Sequence, residues 1–219
     1  MLAGMKIGWN MEIGLNRYLA SWENANDPSC GAFTYSLNVS GIPQLVLRKG
    51  SGKLLRSGLW NGVQFCGILL RRNLIYVPKF ILNSREAYYE YNLHNQSTLT
   101  MLRLSYSGAL QRLVWNNRSL EWRVINSLPC DRCDNYNQCG PNAFCSVSDH
   151  NSCKCLNGYR PKSPQDWDML IRSSGCIRRD PLNSTSAEGF IELVGMKMPD
   201  LLRFWKNTSM TLGKCRIEC

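Results

Sequence analysis

Residues 130–155 read CDRCDNYNQCGPNAFCSVSDHNSCKC and place six cysteines within 26 residues. Asn, Asp and Ser dominate between the cysteines, so the stretch offers little apolar material from which to build a core. Such cysteine density in a polar sequence is typical of a disulfide framework formed in an oxidising compartment. Each bridge stabilises a small module by about 2–4 kcal/mol, mainly by restricting the unfolded chain. The stretch therefore predicts a cross-linked module in an extracellular protein.

A zinc site is the competing interpretation of these cysteines. Cys130 and Cys133 form a C-x-x-C pair, Cys153 and Cys155 form a C-x-C pair, and His150 lies nearby. Structural zinc prefers two pairs whose members are each separated by two to four residues, which the second pair does not satisfy. A redox role for the C-x-x-C lacks the surrounding βαβ pattern. An intracellular zinc-binding protein is thus an alternative that the spacing disfavours.

The sequence on the N-terminal side of this stretch predicts β-structure. In residues 86–93, EAYYEYNL, Tyr89, Tyr91 and Leu93 fall on one face, and this period of two suits a half-buried strand. Similar runs recur every 8–12 residues with Gly- or Asn-containing turns between them, as in a sandwich, prism or barrel. The other predicted strands are Phe33–Leu37, Gln44–Lys49, Leu54–Trp60, Leu99–Leu104, Ala109–Trp115 and Glu121–Ser127.

The sequence on the C-terminal side changes character. Residues 178–188, RRDPLNSTSAE, are linker-like, and residues 189–194, GFIELV, predict one strand. Residues 210–219 could begin a helix with Cys215 and Cys219 on one face. These segments predict a separate small unit after the cysteine-rich stretch.

Glycosylation sequons support an extracellular location. Five Asn-x-Ser/Thr sequons occur in 219 residues, at Asn38, Asn95, Asn117, Asn183 and Asn207. Residues 1–20 contain no apolar core of a secretion signal, and no stretch reaches the ~18 apolar residues of a membrane span. We therefore interpret the chain as part of a longer secreted or membrane-anchored protein.

The net charge is +10, from 26 Lys+Arg and 16 Asp+Glu. The basic residues are scattered, no run of five or more occurs, and no nucleic-acid-binding motif accompanies them, so we predict no nucleic-acid partner. An acidic polysaccharide, an acidic partner face or a solvated basic surface would each fit this charge.

Catalytic patterns are absent from the sequence. The two histidines, His94 and His150, lack an accompanying nucleophile motif, and there is no P-loop, dinucleotide turn or G-x-S-x-G sequence. Asp166 and Asp168 flank Trp167 in a loop between cysteines, which we interpret as solvated. We predict neither enzymatic activity nor a cofactor.

Several longer motifs resemble one family. They are GLNRYLASW at residues 14–22, DPSCGAFTY at 27–35, RSGLWNG at 56–62, PKSPQDWDM at 161–169 and SSGCIRR at 173–179. Together they resemble the S-locus glycoproteins and the S-domain (G-type lectin) receptor-like serine/threonine kinases of plants. The resemblance covers nearly the whole chain.

This resemblance implies a mostly β chain, in which a lectin-like β-sheet domain is followed by a small disulfide-rich EGF-like module and a truncated PAN/apple domain. The implied units are the end of a bulb-type lectin region at 1–30, the S-locus glycoprotein domain at 31–128, the EGF-like module at 130–176, a linker at 177–189 and the start of the PAN/apple domain at 190–219.

The EGF-like resemblance also implies a disulfide pairing, which spacing alone cannot choose. The implied bonds are Cys133–Cys145, Cys139–Cys153 and Cys155–Cys176. Cys215 and Cys219 would be the first PAN/apple cysteines, with partners beyond the end of the chain. The pairing of Cys30, Cys66 and Cys130 is left open, a Cys30–Cys66 bond included.

The function implied by the resemblance is extracellular recognition, either of pollen in self-incompatibility or in related cell-surface signalling. The implied partners are a protein or peptide ligand and a second receptor, with membrane attachment only through segments outside this chain. The mannose-binding signature of bulb lectins is absent, which argues against sugar binding, and kinase motifs are absent as well. In the S-locus case the ligand is a small basic peptide. The net charge of +10 on this chain would repel such a ligand.

A non-functional truncated product is the alternative from another class. If strands of the lectin region are missing, the isolated chain would expose sheet edges and apolar area, and we would expect it to be poorly soluble.

Overall fold

The computed structural model describes residues 1–66, 74–148, 152–180, 191–200, 209–211 and 213–214. Over these residues the chain is mostly β, as the sequence predicts. The strands are β1 Ile7–Asn10, β2 Leu15–Arg17, β3 Leu19–Trp22, β4 Cys30–Asn38, β5 Gln44–Lys49, β6 Gly52–Arg56, β7 Tyr76–Leu82, β8 Glu86–Leu93, β9 Thr100–Leu104, β10 Leu110–Asn116, β11 Glu121–Leu128, β12 Ala143–Cys145, β13 Cys153–Cys155, β14 Tyr159–Pro161 and β15 Cys176–Arg178. A five-residue helix, α1 Pro164–Asp168, lies between β14 and β15.

Three antiparallel sheets make up the part that we call the sheet body, residues 1–128. Their strand orders are β2-β1-β8-β7, β3-β4-β5-β6 and β11-β10-β9. Strand β1 contacts β4, and β9 contacts both β3 and β4, so the sheets meet along their sides. This arrangement encloses one hydrophobic core, to which all three sheets contribute.

The core is built from inward-facing side chains of the central strands. Its most deeply buried apolar members include Ile7, Leu37, Leu45, Leu47 and Ala87. Complete burial of one Leu or Ile side chain stabilises a fold by about 1.5–3 kcal/mol. The alternating apolar residues in the predicted strands therefore supply the main stabilisation of the sheet body.

Strands β5 and β8 have the predicted bounds, but β8 is buried on both faces. Tyr91 faces the core and is fully buried, while Tyr88 and Glu90 on the opposite face are only 8% exposed. Lys6 lies 3.9 Å from the Tyr88 ring centroid and Lys79 lies 3.1 Å from Glu90, so long basic side chains cover that face. The alternating sequence pattern of β8 does not show that basic side chains from other strands cover its second face.

Strand β6 ends at Arg56, earlier than the predicted end at Trp60. The Ser57 hydroxyl accepts a hydrogen bond from the Leu45 backbone at 2.9 Å, which replaces a ladder contact with a side-chain contact. Gly58 then has a φ of +84°, and a Cβ there would lie 1.9 Å from the Cys66 carbonyl oxygen. Only glycine allows this close approach, which turns the chain away from the sheet.

Four strands of the sheet body, β1, β2, β3 and β7, were not individually predicted. Strand β7 contains Pro78, which lacks the backbone N–H needed in a central strand. The structure places β7 at the edge of its sheet, where proline is tolerated. The first three strands are only three or four residues long, too short for a period to be recognised.

Residues 130–178 form a second part that we call the disulfide module. It consists of two short ribbons, β12-β13 and β14-β15, and helix α1. The residues around Asp166, predicted to be a loop, form this helix instead. The Ser163 hydroxyl caps it by accepting a hydrogen bond from the Asp166 backbone at 3.3 Å, and Pro164 occupies the first turn.

The strand predicted at residues 189–194 is not formed in its described part, residues 191–194. Ile191–Val194 has no strand partner in the described residues and is exposed, whereas residues 189 and 190 lie outside them. A strand needs a neighbouring ladder to satisfy its backbone groups. The predicted helix at 210–219 lies mostly outside the described residues.

Candidate functional site

The disulfide module holds six predicted cysteines in three bonds. Cys133 is joined to Cys145, Cys139 to Cys153 and Cys155 to Cys176, with Cα–Cα distances of 5.4, 5.4 and 5.7 Å. These pairs coincide with those that the EGF-like resemblance implies. The first two bonds fix the β12-β13 ribbon, in which Cys145 lies opposite Cys153.

Zinc binding has no support in this arrangement. The sulfur atoms of Cys139, Cys145 and Cys153 lie within 4.8 Å of one another, but each is bonded to another cysteine. A metal would require the thiolate form, which a disulfide lacks. His150 lies outside the described residues.

Cys30, Cys66 and Cys130 carry free thiols, so the Cys30–Cys66 bond that the sequence left open is not formed. Burial, together with the nearby Asp134 and Asp131 carboxylates, raises the pKa of the Cys130 thiol. Its thiolate is therefore disfavoured at neutral pH. Cys215 and Cys219 lie outside the described residues.

Three predicted sequons lie at turns of the sheet body. Asn38 ends β4 and is half-buried, whereas Asn95 and Asn117 lie in exposed connections. The Asn38 side chain accepts a hydrogen bond from the Ser40 backbone at 2.8 Å, and Asn95 accepts one from Ser97 at 3.0 Å. Asn183 and Asn207 lie outside the described residues.

A half-buried carboxylate, that of Asp200, joins three parts of the chain. Residues 191–200, which we call the return segment, end at Asp200, whose carboxylate accepts hydrogen bonds from Gln44 and Lys53 of the sheet body. Asp200 also accepts one from the Tyr136 hydroxyl of the disulfide module at 3.0 Å. In addition, the Tyr136 backbone donates to the Leu54 carbonyl at 2.7 Å, so the module is attached directly to β6.

The electrostatics of this junction favour an ionised Asp200. Burial acts to raise the pKa of Asp200, but the hydrogen bonds from Lys53, Gln44 and Tyr136 outweigh it and lower the pKa below its usual value. Burial and the hydrogen bond to Asp200 raise the pKa of Tyr136, which therefore stays protonated and able to donate. The junction fixes the module and the return segment against the sheet body.

A cavity of about 110 Å³ opens between the sheets of the sheet body. We call it the Arg112 cavity, because the buried Arg112 side chain forms part of its wall. Lys79 and Asn126 also contribute polar atoms, but most of the wall is apolar. Its aromatic lining consists of Tyr35, Trp60, Phe65, Tyr76, Phe80 and Tyr89.

Sequence reasoning missed both the junction and this cavity. Arg112 lies two residues after the buried Leu110 in β10 and so shares its face, which puts a charged residue on an inward face. That conflict with the period-two pattern was the available signal. Asp200 carried no comparable signal, since its partners are distant in sequence.

The remaining candidates do not form a site. His94 is exposed at the end of β8, and Asp168 is exposed at the end of α1. Within the described part of the chain, no helix has the length and apolar character needed to cross a membrane.

Comparison with known proteins identifies a domain family. Residues 55–163 match the sequence profile of the S-locus glycoprotein domain. The matched range begins in β6 and ends next to α1, so it includes parts of both the sheet body and the disulfide module.

Curated relatives align along the entire chain. The S-locus-specific glycoprotein S6 of Brassica oleracea is 39% identical over 221 aligned residues, and the chain spans 50% of that protein. A putative serine/threonine-protein kinase receptor of Brassica oleracea var. viridis is 38% identical, and the receptor-like serine/threonine-protein kinase SD1-8 of Arabidopsis thaliana is 32% identical. The chain spans 26% of each of these two kinases. The chain therefore belongs to the family of S-locus glycoproteins and S-domain receptor-like kinases.

Proposed function

We propose that this chain is an extracellular recognition unit that binds a protein or peptide ligand at the plant cell surface and has no catalytic activity of its own. The observation that supports this most is the Asp200 junction, which unites the sheet body, the disulfide module and the return segment. A rigid surface assembled from three parts is well suited to recognition, because little conformational freedom is lost on binding.

The domain assignment is part of this proposal. We assign residues 1–30 to the end of a bulb-type lectin region, 31–128 to the S-locus glycoprotein domain, 130–176 to an EGF-like module and 190–219 to the start of a PAN/apple domain. Support comes from three disulfides within 133–176 and from the relatives that align along the whole chain.

The extracellular location is proposed on two grounds. Three disulfides in a module with almost no apolar core require an oxidising compartment. The exposed Asn95 and Asn117 and the half-buried Asn38 are the sequons of the described residues that we expect to carry glycans. We also expect Asn183 and Asn207 to carry glycans.

The biological role that we propose is recognition of pollen or a related cell-surface signal, acting with a second receptor. Relatives named S-locus-specific glycoproteins motivate this choice. With a net charge of +10, the chain would attract an acidic ligand and repel a basic one at long range.

Secretion from plant cells tests the proposal. The chain, placed behind a secretion signal, is expected to reach the medium with three mapped disulfides and to lose mass when its N-glycans are removed enzymatically. Immobilised protein should then bind pollen-coat protein fractions saturably, and prior reduction and alkylation should abolish this binding.

A leaf apoplastic fraction serves as the matched comparison. Equal binding to both fractions would contradict a role in pollen recognition. Intracellular retention with free thiols at the six cysteines would contradict the extracellular proposal as a whole.

A further inference from the structure

Arg112 of β10 is a charged residue in the interior of the sheet body. Its side chain is only 6% exposed, and its guanidinium carbon lies 4.1 Å from the ring centroid of Tyr76 and 4.0 Å from that of Tyr91. The two rings hold the guanidinium in place through cation–π contacts. They do not neutralise its charge.

No acidic side chain compensates Arg112 in the part of the chain that the structure describes. The ion pairs there involve other basic residues, and Glu90 of β8, the strand that also carries Tyr91, pairs with Lys79. The Nη1 atom of Arg112 is buried without a hydrogen-bond partner. A buried cation with an unpaired donor is costly unless an anion binds it.

The nearby phenols cannot act as that anion. Burial raises the pKa of Tyr89 to about 12 and raises the pKa of Tyr35 still further. Both hydroxyls therefore stay protonated at neutral pH. The positive charge of Arg112 is left available to a ligand in the cavity.

An irregularity in the sheet directs Arg112 into the cavity. Arg112 pairs with Asn126 and the next residue, Leu113, pairs with Val124, so Ile125 is the extra residue of a β-bulge. Bulges change the direction of neighbouring side chains and are frequent beside binding sites. Arg112 and Asn126 consequently line the same cavity, as a cation and an amide.

The other walls define the shape of a ligand. The rings of Trp60, Phe65 and Phe80 pack against one another with centroid distances of 4.7–5.1 Å. A cavity of about 110 Å³ exceeds the space that a single water requires and approaches the size of cavities that hold one benzene ring. Val63 and Gln64 also line the cavity and are exposed to solvent.

We propose that the Arg112 cavity binds a small monocarboxylate whose apolar part is a single aromatic ring or a group of similar size. The carboxylate accepts charge-assisted hydrogen bonds from Arg112 and lies beside the Asn126 amide. The ring contacts the edges of Trp60 and Phe80. An apolar cavity with a few convergent polar groups is the usual form of a small-molecule site.

Titration of the 219-residue chain with benzoate tests this proposal, with calorimetry or ligand-observed NMR as the readout. Benzamide has nearly the same shape but no charge, and acetate has the charge but no ring. We expect saturable benzoate binding that is at least about tenfold tighter than that of either analogue. No binding of benzoate, or equal binding of benzamide, would overturn the proposal.

The variant Arg112→Gln is expected to lose about tenfold to a hundredfold in benzoate affinity, because it removes the cation but keeps a polar side chain. Arg103→Gln is the matched control, since Arg103 is an exposed arginine on the neighbouring strand β9 whose partner is Gln111. Equal loss in both variants, or no loss in Arg112→Gln, would place the binding elsewhere and refute the assignment.

Folding of Arg112→Gln is checked by its melting temperature. Removal of an uncompensated buried charge should leave the free protein as stable as before or more stable. If this variant does not fold, the comparison of benzoate with benzamide on the unmodified chain still decides the question.

Discussion

The sheet body and the disulfide module oppose the entropy of the unfolded chain in different ways. In the sheet body the buried residues are mainly Leu, Ile, Val and Tyr side chains shared by three sheets, and its cysteines, Cys30 and Cys66, are free. In the disulfide module the buried side chains among the described residues are those of Cys139, Cys153 and Cys176, all of them in disulfides. One part is stabilised by apolar burial in the folded state, the other by cross-links that restrict the unfolded state.

The two parts should therefore respond to different perturbations. A cavity in the core should weaken the sheet body, whereas reduction should loosen the disulfide module. The Asp200 junction is the place where a perturbation of one part can reach the other, because Tyr136, Lys53 and Gln44 meet there.

The largest effect is expected from the variant Leu47→Ala. Leu47 lies in the central strand β5 and is 1% exposed, so its truncation should lower the free energy of unfolding by about 2–5 kcal/mol. Urea denaturation followed by tryptophan fluorescence measures this change. The control Leu99→Ala removes a leucine that is 55% exposed and should cost no more than about 0.5 kcal/mol.

Similar decreases in the free energy of unfolding for Leu47→Ala and Leu99→Ala would contradict this view, because stabilisation of the sheet body would then not depend on burial. A single cooperative transition in the same experiment would also refute the hypothesis that the chain is a truncated product unable to fold alone.

The second effect is expected from the double variant Cys139→Ser/Cys153→Ser. Loss of this disulfide should destabilise the disulfide module by about 2–4 kcal/mol and leave the sheet body folded. Hydrogen exchange resolved by peptide mass spectrometry should show faster exchange in residues 133–176 and unchanged exchange in β5 and β8.

Cys30→Ser/Cys66→Ser is the matched control, since neither thiol is bonded. Exchange that accelerates throughout the sheet body in Cys139→Ser/Cys153→Ser would show that the two parts fold as one unit, contrary to the comparison.

The third effect concerns the junction and pH. The pKa of Asp200 is lowered in the folded chain, so its stabilisation is present above the unfolded pKa of about 4 and is lost as the pH falls through the lower folded pKa. We expect the return segment to become susceptible to proteolysis below about pH 4.

The variant Asp200→Asn should show this susceptibility already at neutral pH, with a loss of roughly 1 kcal/mol. Asp168→Asn, which changes an exposed carboxylate, should behave like the unmodified chain. If Asp200→Asn keeps the pH dependence of proteolysis, another group controls the junction.

The smallest effect on stability is expected from Val124→Lys at the edge of the sheet body. Strand β11 is an edge strand with exposed Trp122, Val124 and Ile125, and such an edge invites pairing with another chain. A lysine there should reduce self-association measured by light scattering and alter the free energy of unfolding by no more than about 0.5 kcal/mol.

Thr98→Lys, a substitution in the connection before β9, is the control for added charge alone. Equal improvement in both variants would assign the effect to net charge and not to the edge of β11.

The β class, the presence of a cysteine-rich module and several strands follow from local sequence, whereas the cysteine pairing does not follow from spacing. In Gln44–Lys49 and Glu86–Leu93 the local pattern and the turns agree, so their bounds follow from nearby residues alone. Strands β1 to β3 are too short to show a period, and β1 in addition pairs with the distant β8, where Tyr89 lies opposite Ile7.

The roles of the charged residues depend on contacts between segments that are distant in sequence. In the sequence Arg112 is one residue of a predicted strand. In the fold it lies at a β-bulge, where its guanidinium is buried beside Tyr76 and Tyr91. In the sequence Asp200 has no distinguishing feature, and its role follows from its contacts with the distant residues Lys53 and Tyr136. Hydrophobic period and cysteine spacing are local properties of a sequence, whereas burial and charge pairing depend on which distant segments meet.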